Sequence, residues 1–211
     1  FLSDLFYSRL CFACRIVLVA KAKSICIGCE YKISPTVYHK MHENTVSERF
    51  FGRVHIERAT TAFTFTKGSL LQNLIHSLKY ENRPEIGVEF GKIYAGILKE
   101  DPHWISLDYI IPVPLHPKKQ YQRGYNQAEM WGLGLSEALG IPLRNDLLIR
   151  TEFTESQTKK SRSDRFKNVE NVFSVAFPEE IKNKKILLVD DVITTGATLE
   201  ACAQTLIDTE N

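Results

Sequence analysis

The sequence predicts an α/β fold in which helices flank a mostly parallel sheet, with a small metal-binding module at the N-terminus. Two short aliphatic runs, 109–111 and Ile186–Val189, indicate buried strands. Segments with apolar residues at helical spacing alternate with these runs, an order typical of a parallel sheet covered on both faces. Four of the five cysteines form two Cys-x-x-Cys pairs near the start of the chain, which indicates a separate metal-binding unit.

The bulk composition is that of an ordinary globular protein. Of 211 residues, 44% are hydrophobic and 25% are charged, and the formal net charge is only +2. A case for nucleic acid binding must therefore rest on local basic patches. The apolar run 16–20 is far too short to span a bilayer, and no secretory pattern is recognisable in these residues. Because the cysteines are clustered, unlike a disulfide framework, we expect a cytoplasmic protein without membrane insertion.

Two domains are predicted, with a boundary between residues 53 and 54. Residues 1–53 hold the cysteine pairs and a polar segment, 38–48, that has the character of a linker or an irregular loop. Residues 54–211 contain regular patterns and are expected to form the α/β domain. A first strand is predicted there, where larger side chains alternate with smaller or polar ones. The alternating positions are Ala59, Thr61, Phe63 and Phe65.

The helices are predicted from apolar spacing and from the residues that begin or end them. One helix begins after Ser69 and is broken at Pro84, and the next one ends before Pro102. The strand at 109–111 is followed by a basic loop and then by a helix that ends at Gly140. The polar stretch 151–171 is predicted to be a loop and 172–175 a short strand, and the last helix runs through 199–206.

The segment after the last strand combines acidic, hydroxyl-bearing and small residues. Asp190 and Asp191 stand at the carboxyl end of the strand, where open α/β sheets bind their ligands. The following residues lead directly into a helix, so that backbone N–H groups and hydroxyls can hold a phosphate group. The two carboxylates suit ribose hydroxyls, with Mg²⁺ nearby to balance the charge. A helix cap at either aspartate is the alternative, and a Walker-type loop is excluded because its Gly-Lys-Ser/Thr ending is absent.

Residues 186–198 closely resemble the signature of type I phosphoribosyltransferases that binds phosphoribosyl pyrophosphate (PRPP), and further motifs over nearly the whole chain are similar to the ComF family. These motifs are the cysteine pairs, Phe65-Thr66-Lys67-Gly68, Leu78-Lys79-Tyr80, Pro112-Val113-Pro114-Leu115-His116-Pro117, Arg123-Gly124-Tyr125-Asn126-Gln127-Ala128, Gln157, and Arg165 with Asn168 and Val169. The resemblance implies a type I phosphoribosyltransferase-like domain behind a zinc-bearing module, associated with competence and DNA uptake. Such a domain normally adds another strand, so we expect residues beyond Asn211.

The resemblance also implies which residues bind PRPP together with Mg²⁺. They are Asp190, Asp191, Thr194, Thr195, Gly196, Ala197 and Thr198. The two aspartates are in addition the candidate catalytic residues.

Pyrophosphate is expected to bind at the loop after residue 111, which follows a strand end on the same side of the sheet. Lysine and arginine neutralise a diphosphate, and arginine can bind it in a bidentate way. A solvated basic turn is the alternative. The candidate contacts are Lys118, Arg123, Asn126 and Gln127.

Three further features are assigned around this site. The stretch 151–171 is expected to close over it and exclude water, with Gln157, Arg165 and Asn168 as its polar contacts. Lys79 is a weaker phosphate candidate, because a cation is expected at the end of its helix in any case. His116 fits a ligand contact and a packed turn equally well.

The four N-terminal cysteines have the spacing of a zinc knuckle, in which four thiolates form a tetrahedral structural site. They are Cys11, Cys14, Cys26 and Cys29. Metal binding would fold a segment that is too small to hold a core alone. Iron held by the same ligands, a redox role, or no metal at all are the alternatives. Cys202 lies on the apolar face of its predicted helix and is expected to be a core residue.

Functions from different classes follow. The first is an enzyme that transfers the 5-phosphoribosyl group of PRPP to an unknown, nucleobase-like acceptor and releases pyrophosphate. The second is a non-catalytic, PRPP-responsive competence factor that binds single-stranded DNA and acts with the DNA-uptake machinery, and a PRPP sensor without chemistry is the third. DNA binding is favoured by a basic run with nearby aromatic residues, although a solvated loop is the alternative. The run consists of Lys159, Lys160, Arg162, Arg165 and Lys167.

Overall fold

The structure, a computed structural model, describes residues 10–18, 24–151 and 172–210. The helices in these ranges are α1 (Ile27–Lys32), α2 (Leu70–Tyr80), α3 (Pro84–Leu98), α4 (Pro117–Arg123), α5 (Gln127–Leu139), α6 (Pro178–Ile181) and α7 (Ala197–Glu210). The strands are β1 (Tyr109–Pro112), β2 (Leu148–Arg150), β3 (Phe173–Val175) and β4 (Ile186–Val189), and short 3-10 helices cover Tyr38–Lys40, Ser47–Phe50 and Pro102–Trp104. Among the described helices, none is long and apolar enough to cross a membrane.

β1 and β4 form a parallel pair at the centre of the fold. Their register runs from Tyr109 opposite Ile186 to Pro112 opposite Val189. A parallel bridge between Ile110 and residue 143 extends the arrangement on the other edge of β1. Separately, β2 and β3 pair antiparallel, and the sequence had indicated only the second of these two strands. The predicted α/β fold with parallel strands and flanking helices is thus confirmed.

Glycines bring α3 and α5 into close contact. A Cβ atom placed on Gly134 would lie 2.1 Å from the carbonyl oxygen of Val88, and one placed on Gly91 would lie 2.4 Å from that of Trp131. Both distances are far below van der Waals contact, so only glycine lets the two backbones approach this closely. Since α5 also packs against β1 and β4, the helix pair fixes the position of the parallel strands.

The cysteine segment shares a hydrophobic core with the helices that follow it. Cys11 and Cys29 lie in one buried cluster with Leu74 of α2. Asn73 Nδ2, also on α2, donates a hydrogen bond of 2.8 Å to the carbonyl oxygen of Ala13. The N-terminal segment is therefore packed against α2, while the exact domain boundary between residues 53 and 54 stays a prediction.

The predicted strand at residues 59–65 is wrong, because this segment has no regular strand structure. Its carbonyl groups accept hydrogen bonds from an earlier segment of the chain. Thr36 donates its backbone N–H to Ala62 (2.9 Å) and its hydroxyl to Thr61. Asn44 Nδ2 donates to the carbonyl oxygen of Ala59 at 2.8 Å. These acceptors are already used, so they cannot form the ladder that the side-chain alternation suggested.

The polar segment 38–48, predicted as a linker or irregular loop, is partly ordered into 3-10 helices. Val46, Phe50 and Val54 form a small buried cluster that packs against α7. The apolar residues at the end of the segment and just beyond it supply this cluster, and they were too few to give a periodic signal. The segment therefore reaches the last helix of the chain.

The basic loop predicted after residue 111 contains a helix, α4. Pro117 lies in the first turn, where a missing N–H costs nothing, and His116 Nδ1 accepts a hydrogen bond from the N–H of Lys118 at 3.2 Å. Gly124 ends the helix with a left-handed backbone (φ 79°). His116 therefore caps a helix, which is a structural role.

Candidate functional site

Two loops begin at the same edge of the parallel strands. The β4 loop (residues 190–196) follows β4, and the β1 loop (residues 113–126, which includes α4) follows β1. Pro112 lies opposite Val189 in the register, and the N–H of Val113 donates to the carbonyl oxygen of Val189 at 2.8 Å. The acidic and basic candidates of the sequence thus start from neighbouring points.

The two aspartates of the β4 loop lie at the carboxyl end of β4 in partly buried positions. Asp190 Oδ1 accepts a 2.8 Å hydrogen bond from the N–H of Asp191. Burial, and after it the negative charge of Asp191, raises the pKa of Asp190 to about 6. Near neutral pH, the pair thus carries close to two negative charges in a restricted space, and a cation or hydroxyl donors would stabilise it.

Lys79, at the end of α2, provides the nearest cation. Its Nζ lies 2.9 Å from Oδ2 of Asp191, and both side chains are largely buried. The ion pair therefore engages the buried Oδ2 of Asp191 and joins the end of α2 to the β4 loop.

The second half of the site is the phosphate cradle, which we define as residues 194–198. Its hydroxyl-bearing residues Thr194, Thr195 and Thr198 are exposed at the N-terminus of α7. In the described part of the chain, the N–H groups of Thr194, Thr195 and Gly196 have no hydrogen-bond acceptor. These backbone donors stand at the positive end of a 14-residue helix, and such helix ends bind anions.

A role of the aspartates as simple helix caps, the alternative weighed above, has no support among these contacts. The N–H of Ala197 is bonded by the side chain of Thr195 (3.4 Å), and the aspartate carboxylates bond neither this N–H nor another one of α7 within the described residues. The carboxylates are therefore not used to cap α7.

Two arginines that the sequence reasoning missed lie against the cradle. Arg49 donates to the carbonyl oxygen of Thr194, and Arg53 Nη1 donates to that of Thr195 at 3.3 Å. Arg53 also forms an ion pair with Glu200 of α7. These contacts join positions about 145 residues apart. The sequence around the two arginines shows no local pattern that would predict them. Two arginines at a spacing of four residues were the only available signal.

The four predicted pyrophosphate contacts, in the β1 loop and directly after it, differ in their exposure and in their hydrogen bonds. Lys118 is exposed on α4. Arg123 lies over the ring of Tyr80, with its guanidinium carbon 5.6 Å from the ring centroid, and donates to Gln127 Oε1 at 2.7 Å. Asn126 and Gln127 are buried. Contact between any of these residues and pyrophosphate stays a prediction.

Asn126 caps the helix that follows the β1 loop. Its Oδ1 accepts from the N–H of Ala128 (3.1 Å), and its Nδ2 donates to the carbonyl oxygen of Val113 (2.9 Å). Gln127 Nε2 donates to the carbonyl oxygen of Tyr125 at 3.2 Å. Both amides thus maintain the shape of the loop.

The end of α2 connects the two loops. The carbonyl oxygen of Leu78 accepts a hydrogen bond from the Tyr125 hydroxyl of the β1 loop. The next residue, Lys79, pairs with Asp191 of the β4 loop, and Tyr80 lies under Arg123. Through three consecutive residues, α2 brings the acidic and basic parts of the candidate site together.

A cavity of about 570 Å³ lies between residues 55–65 and the edge of β4, and its lining includes Asp190 and Asp191. The acidic pair therefore borders open space and is not sealed in the core.

Three predicted site residues, Gln157, Arg165 and Asn168, lie outside the described residues, and so does the basic run between 159 and 167.

The four N-terminal cysteines converge as predicted. Their sulfur atoms all lie within 4.8 Å of one another, and Cys14 Sγ is 3.8 Å from Cys26 Sγ. Tetrahedral zinc with Zn–S bonds of about 2.3 Å needs sulfur atoms about 3.8 Å apart, so the cluster fits the metal.

The ionisation of the cluster is uneven. Burial opposes the thiolate of Cys11, but hydrogen bonds from backbone N–H groups, including that of Cys26, lower its pKa to about 7. Burial raises the pKa of Cys29. Cys202 is fully buried in the core, as predicted.

Comparison with known proteins identifies relatives over nearly the whole length. The family profile described as "Phosphoribosyl transferase domain" matches residues 132–211. Competence protein F of Haemophilus influenzae is 30% identical over 210 residues, which cover 95% of this chain and 92% of that protein. Competence protein ComFC of Bacillus subtilis is 25% identical over 203 residues, or 95% of this chain and 78% of the relative.

Two more distant or shorter matches complete the comparison. DNA utilization protein YhgH of Escherichia coli (strain K12) is 32% identical over 140 residues, covering 65% of this chain and 61% of that protein. Among solved structures, the glutamine PRPP amidotransferase from B. subtilis, complexed with ADP and GMP, matches with a TM-score of 0.43 and 21% identity. That match covers 64% of this chain and 28% of the other.

Proposed function

The chain belongs to the ComF family, and from this membership and the geometry of the β4 loop we propose that it binds PRPP with Mg²⁺ at residues 190–198. We further propose that it transfers the 5-phosphoribosyl group to a nucleobase-like acceptor and releases pyrophosphate, in a process associated with competence and DNA uptake. The names of its relatives support that association. A fold alone does not establish a reaction, which depends on the residues of the site.

The observation that carries the proposal is the junction of β4 and α7. A pair of carboxylates at a strand end is followed directly by N–H groups that lack acceptors in the described chain. In the proposed complex, the cradle donates these N–H groups and the threonine hydroxyls to the 5-phosphate. Asp190 and Asp191 accept hydrogen bonds from the ribose hydroxyls, which a phosphate-only site would not require.

Pyrophosphate is assigned to the space between the β1 loop and α2. Lys79, Lys118 and Arg123 supply the positive charge there, and Lys79 already lies beside the carboxylates. When bound, Mg²⁺ would neutralise part of the charge of the pyrophosphate, and the oxygen atoms of Asp190 and Asp191 are the kind of ligand it prefers. Asn126 and Gln127 hold the loop in shape.

In the proposed reaction, the bond between C1 of the ribose and the pyrophosphate oxygen breaks, and a bond from C1 to a nitrogen of the acceptor forms. Pyrophosphate leaves with the bonding electron pair, and the acceptor nitrogen loses its proton. The protein has no covalent step to perform, so its contribution is to orient the ribose and to stabilise the leaving group electrostatically. The carboxylates orient the ribose through its hydroxyls, and the cations of α2 and the β1 loop face the departing charge.

Calorimetric titration of the purified chain with PRPP and Mg²⁺ tests the binding proposal. We expect PRPP to bind only with Mg²⁺ present and more tightly than ribose 5-phosphate, because the pyrophosphate adds contacts with cations. Absence of PRPP binding would overturn the proposal. Pyrophosphate release that depends on an added nucleobase then tests the transfer reaction.

A second candidate function is single-stranded DNA binding that responds to PRPP without catalysis. The observation that favours it is the exposed surface of α4, where the ring of Tyr121 is 92% exposed beside Lys118 and Lys119. Exposed aromatic rings next to cations bind single strands by stacking and charge. We expect binding of a fluorescent oligonucleotide that weakens with salt and with Tyr121→Ala. Equal binding by this variant and the wild type would exclude α4 as the DNA surface.

We also propose that the cysteine cluster holds a structural zinc ion and that residues 1–53 form its module and linker. Support comes from the sulfur distances and from the shared core with α2, in which Cys11 and Cys29 are buried. A strong chelator should lower the unfolding temperature, since the free energy of metal binding, which stabilises the folded segment, would then be lost. If metal analysis of the freshly purified protein finds no zinc, this assignment is contradicted.

A further inference from the structure

We infer that Arg49 and Arg53 are positioning residues of the phosphate cradle: by holding the carbonyl groups of Thr194 and Thr195, they turn the adjacent N–H groups toward the ligand. This inference deepens the proposed function and rests on it for the identity of the ligand. It assigns to residues 49–53, which directly follow the polar segment 38–48, a part in ligand binding.

The geometry of the peptide unit couples each carbonyl group to the N–H group of the next residue. Among the described residues, every peptide bond is trans, so the C=O of one residue and the N–H of the next point in opposite directions. The C=O of Thr194 shares its peptide plane with the N–H of Thr195, and the C=O of Thr195 shares its plane with that of Gly196. A donor that fixes either carbonyl on one side therefore fixes an N–H on the other side.

The arginines are such donors. Arg49 donates to the carbonyl oxygen of Thr194, and Arg53 Nη1 donates to that of Thr195 at 3.3 Å. The two N–H groups on the opposite side have no acceptor in the described chain. An anion that approaches from that side meets donors, and the carbonyl oxygens that would repel it are turned away and bonded.

The side chain of Arg53 is itself held in place. Arg53 Nη1 also donates to the carbonyl oxygen of Arg49 at 3.0 Å, and Arg53 Nη2 pairs with Glu200 of α7. Because the guanidinium group is a rigid fork, these contacts fix its plane as well as its position. Arg53 therefore links residues 49–53 to both the cradle and the helix that follows it.

Phe50, the residue after Arg49, shapes the same turn. The ring of Phe50 lies over Gly196, where an added Cβ would come within 3.3 Å of two ring atoms. Gly196 also has a left-handed backbone (φ 82°) that side chains rarely adopt. The turn is thus held by two carbonyl contacts and one ring, all from residues 49–53.

The test compares four variants in the full chain. Arg49→Ala and Arg53→Ala each remove one carbonyl contact, and Arg49→Lys keeps a single donor. Lys92→Ala is the control for the loss of one positive charge, because Lys92 pairs with Glu137 between α3 and α5. Affinity is measured by calorimetry for inorganic phosphate, ribose 5-phosphate and PRPP with Mg²⁺. The amide resonances of Thr195 and Gly196 are recorded in the free proteins.

We expect Arg49→Ala and Arg53→Ala to bind each ligand roughly tenfold more weakly, which is the usual effect of losing one charge-assisted hydrogen bond. Arg49→Lys should recover part of this loss, and Lys92→Ala should bind like the wild type. The amide resonances of Thr195 and Gly196 should shift in the two alanine variants only. If Arg53→Ala does not fold, Arg53→Lys replaces it, with a smaller loss expected because the fork is absent.

Unchanged affinity and unchanged amide resonances in the two alanine variants would overturn the inference and leave the proposed function intact. If the wild type binds phosphate and ribose 5-phosphate but not PRPP, and the variants lose that binding, the inference stands and the PRPP proposal fails. A wild type that binds none of the three ligands overturns both.

Discussion

The β1 and β4 loops start side by side, but their polar groups differ in their hydrogen-bond partners. The β1 loop uses its amides for its own structure, with Asn126 bonded to Val113 and Ala128. The β4 loop leaves its backbone N–H groups without acceptors in the described chain and has its carbonyl groups bonded by arginines from elsewhere. Amide groups that are already bonded within a loop hold its shape, whereas unused backbone donors can bind a ligand.

The largest effect is expected from the acidic pair of the β4 loop. The double substitution Asp190→Asn with Asp191→Asn removes the charge that attracts Mg²⁺, and it replaces one of the two acceptor oxygens of each side chain by an NH2 donor, while the size of the side chains is kept. We expect PRPP binding with Mg²⁺ to fall more than about 100-fold, as for the loss of two charged hydrogen-bond partners.

Calorimetry measures this affinity, and circular dichroism checks that the fold is retained. Binding of inorganic phosphate by the same variant is the internal control. The cradle N–H groups are untouched, and with two negative charges gone, phosphate should bind at least as well as in the wild type. Undiminished affinity for PRPP would remove the aspartates from the site.

The next effect tests whether the β1 loop contributes a ligand contact at all. Arg123→Ala removes the guanidinium that lies over Tyr80 and bonds Gln127. Because pyrophosphate is proposed to bind there, affinity for PRPP should fall by between about tenfold and 100-fold, while affinity for ribose 5-phosphate stays nearly unchanged.

Lys92→Ala is the charge-matched control for this variant, since Lys92 pairs with Glu137 on the helices α3 and α5. An equal loss for both ligands in Arg123→Ala would mean that Arg123 acts by holding the loop, not by contacting pyrophosphate. The two loops would then differ even more sharply, with all ligand contacts on the β4 side.

The difference between the two loops also shows which features of the site the sequence could predict. The β4 loop and its flanking elements follow from local signals: an aliphatic run, two carboxylates and a glycine before a helix. The family resemblance added the ligand to that local pattern. The capping roles of Asn126 and His116 are also local, but residues suited to caps are equally suited to ligands, so the sequence could not separate these roles.

What the sequence could not predict depends on long-range contacts. The side chains of residues 59–65 alternate as in a strand. The segment nevertheless does not pair with another described strand, because Thr36 and Asn44 bond its carbonyl groups. The contact of Arg49 with Thr194 spans 145 positions, and a polar segment with a few charges gives no indication of such a partner. Packing in three dimensions decides both cases.

A smaller effect concerns the pH dependence of the β4 loop. Burial and the charge of Asp191 raise the pKa of Asp190 to about 6, so its carboxyl group becomes protonated as the pH falls through this value. The ionised form accepts hydrogen bonds from ribose hydroxyls and attracts Mg²⁺. Affinity for PRPP should therefore fall by up to about tenfold between about pH 7 and about pH 5.

The phosphate groups of PRPP titrate in the same range, so Asp190→Asn serves as the control that reports their contribution alone. In addition, the carboxyl carbon resonance of Asp190 in the free protein should titrate near the pKa given above. A midpoint at the ordinary value of about 3.9 would contradict the electrostatic argument.

The smallest effect on binding is expected in the β1 loop, at Asn126. Asn126→Ala removes the cap of α5 and the bond to Val113, so the free energy of unfolding should fall by about 1 kcal/mol, the usual cost of losing an N-cap. Chemical denaturation measures this change. Affinity for PRPP should change less than about threefold, because the amide is already bonded within the chain. A large loss of affinity at unchanged stability would instead make Asn126 a ligand contact, and the two loops would then bind PRPP in the same way.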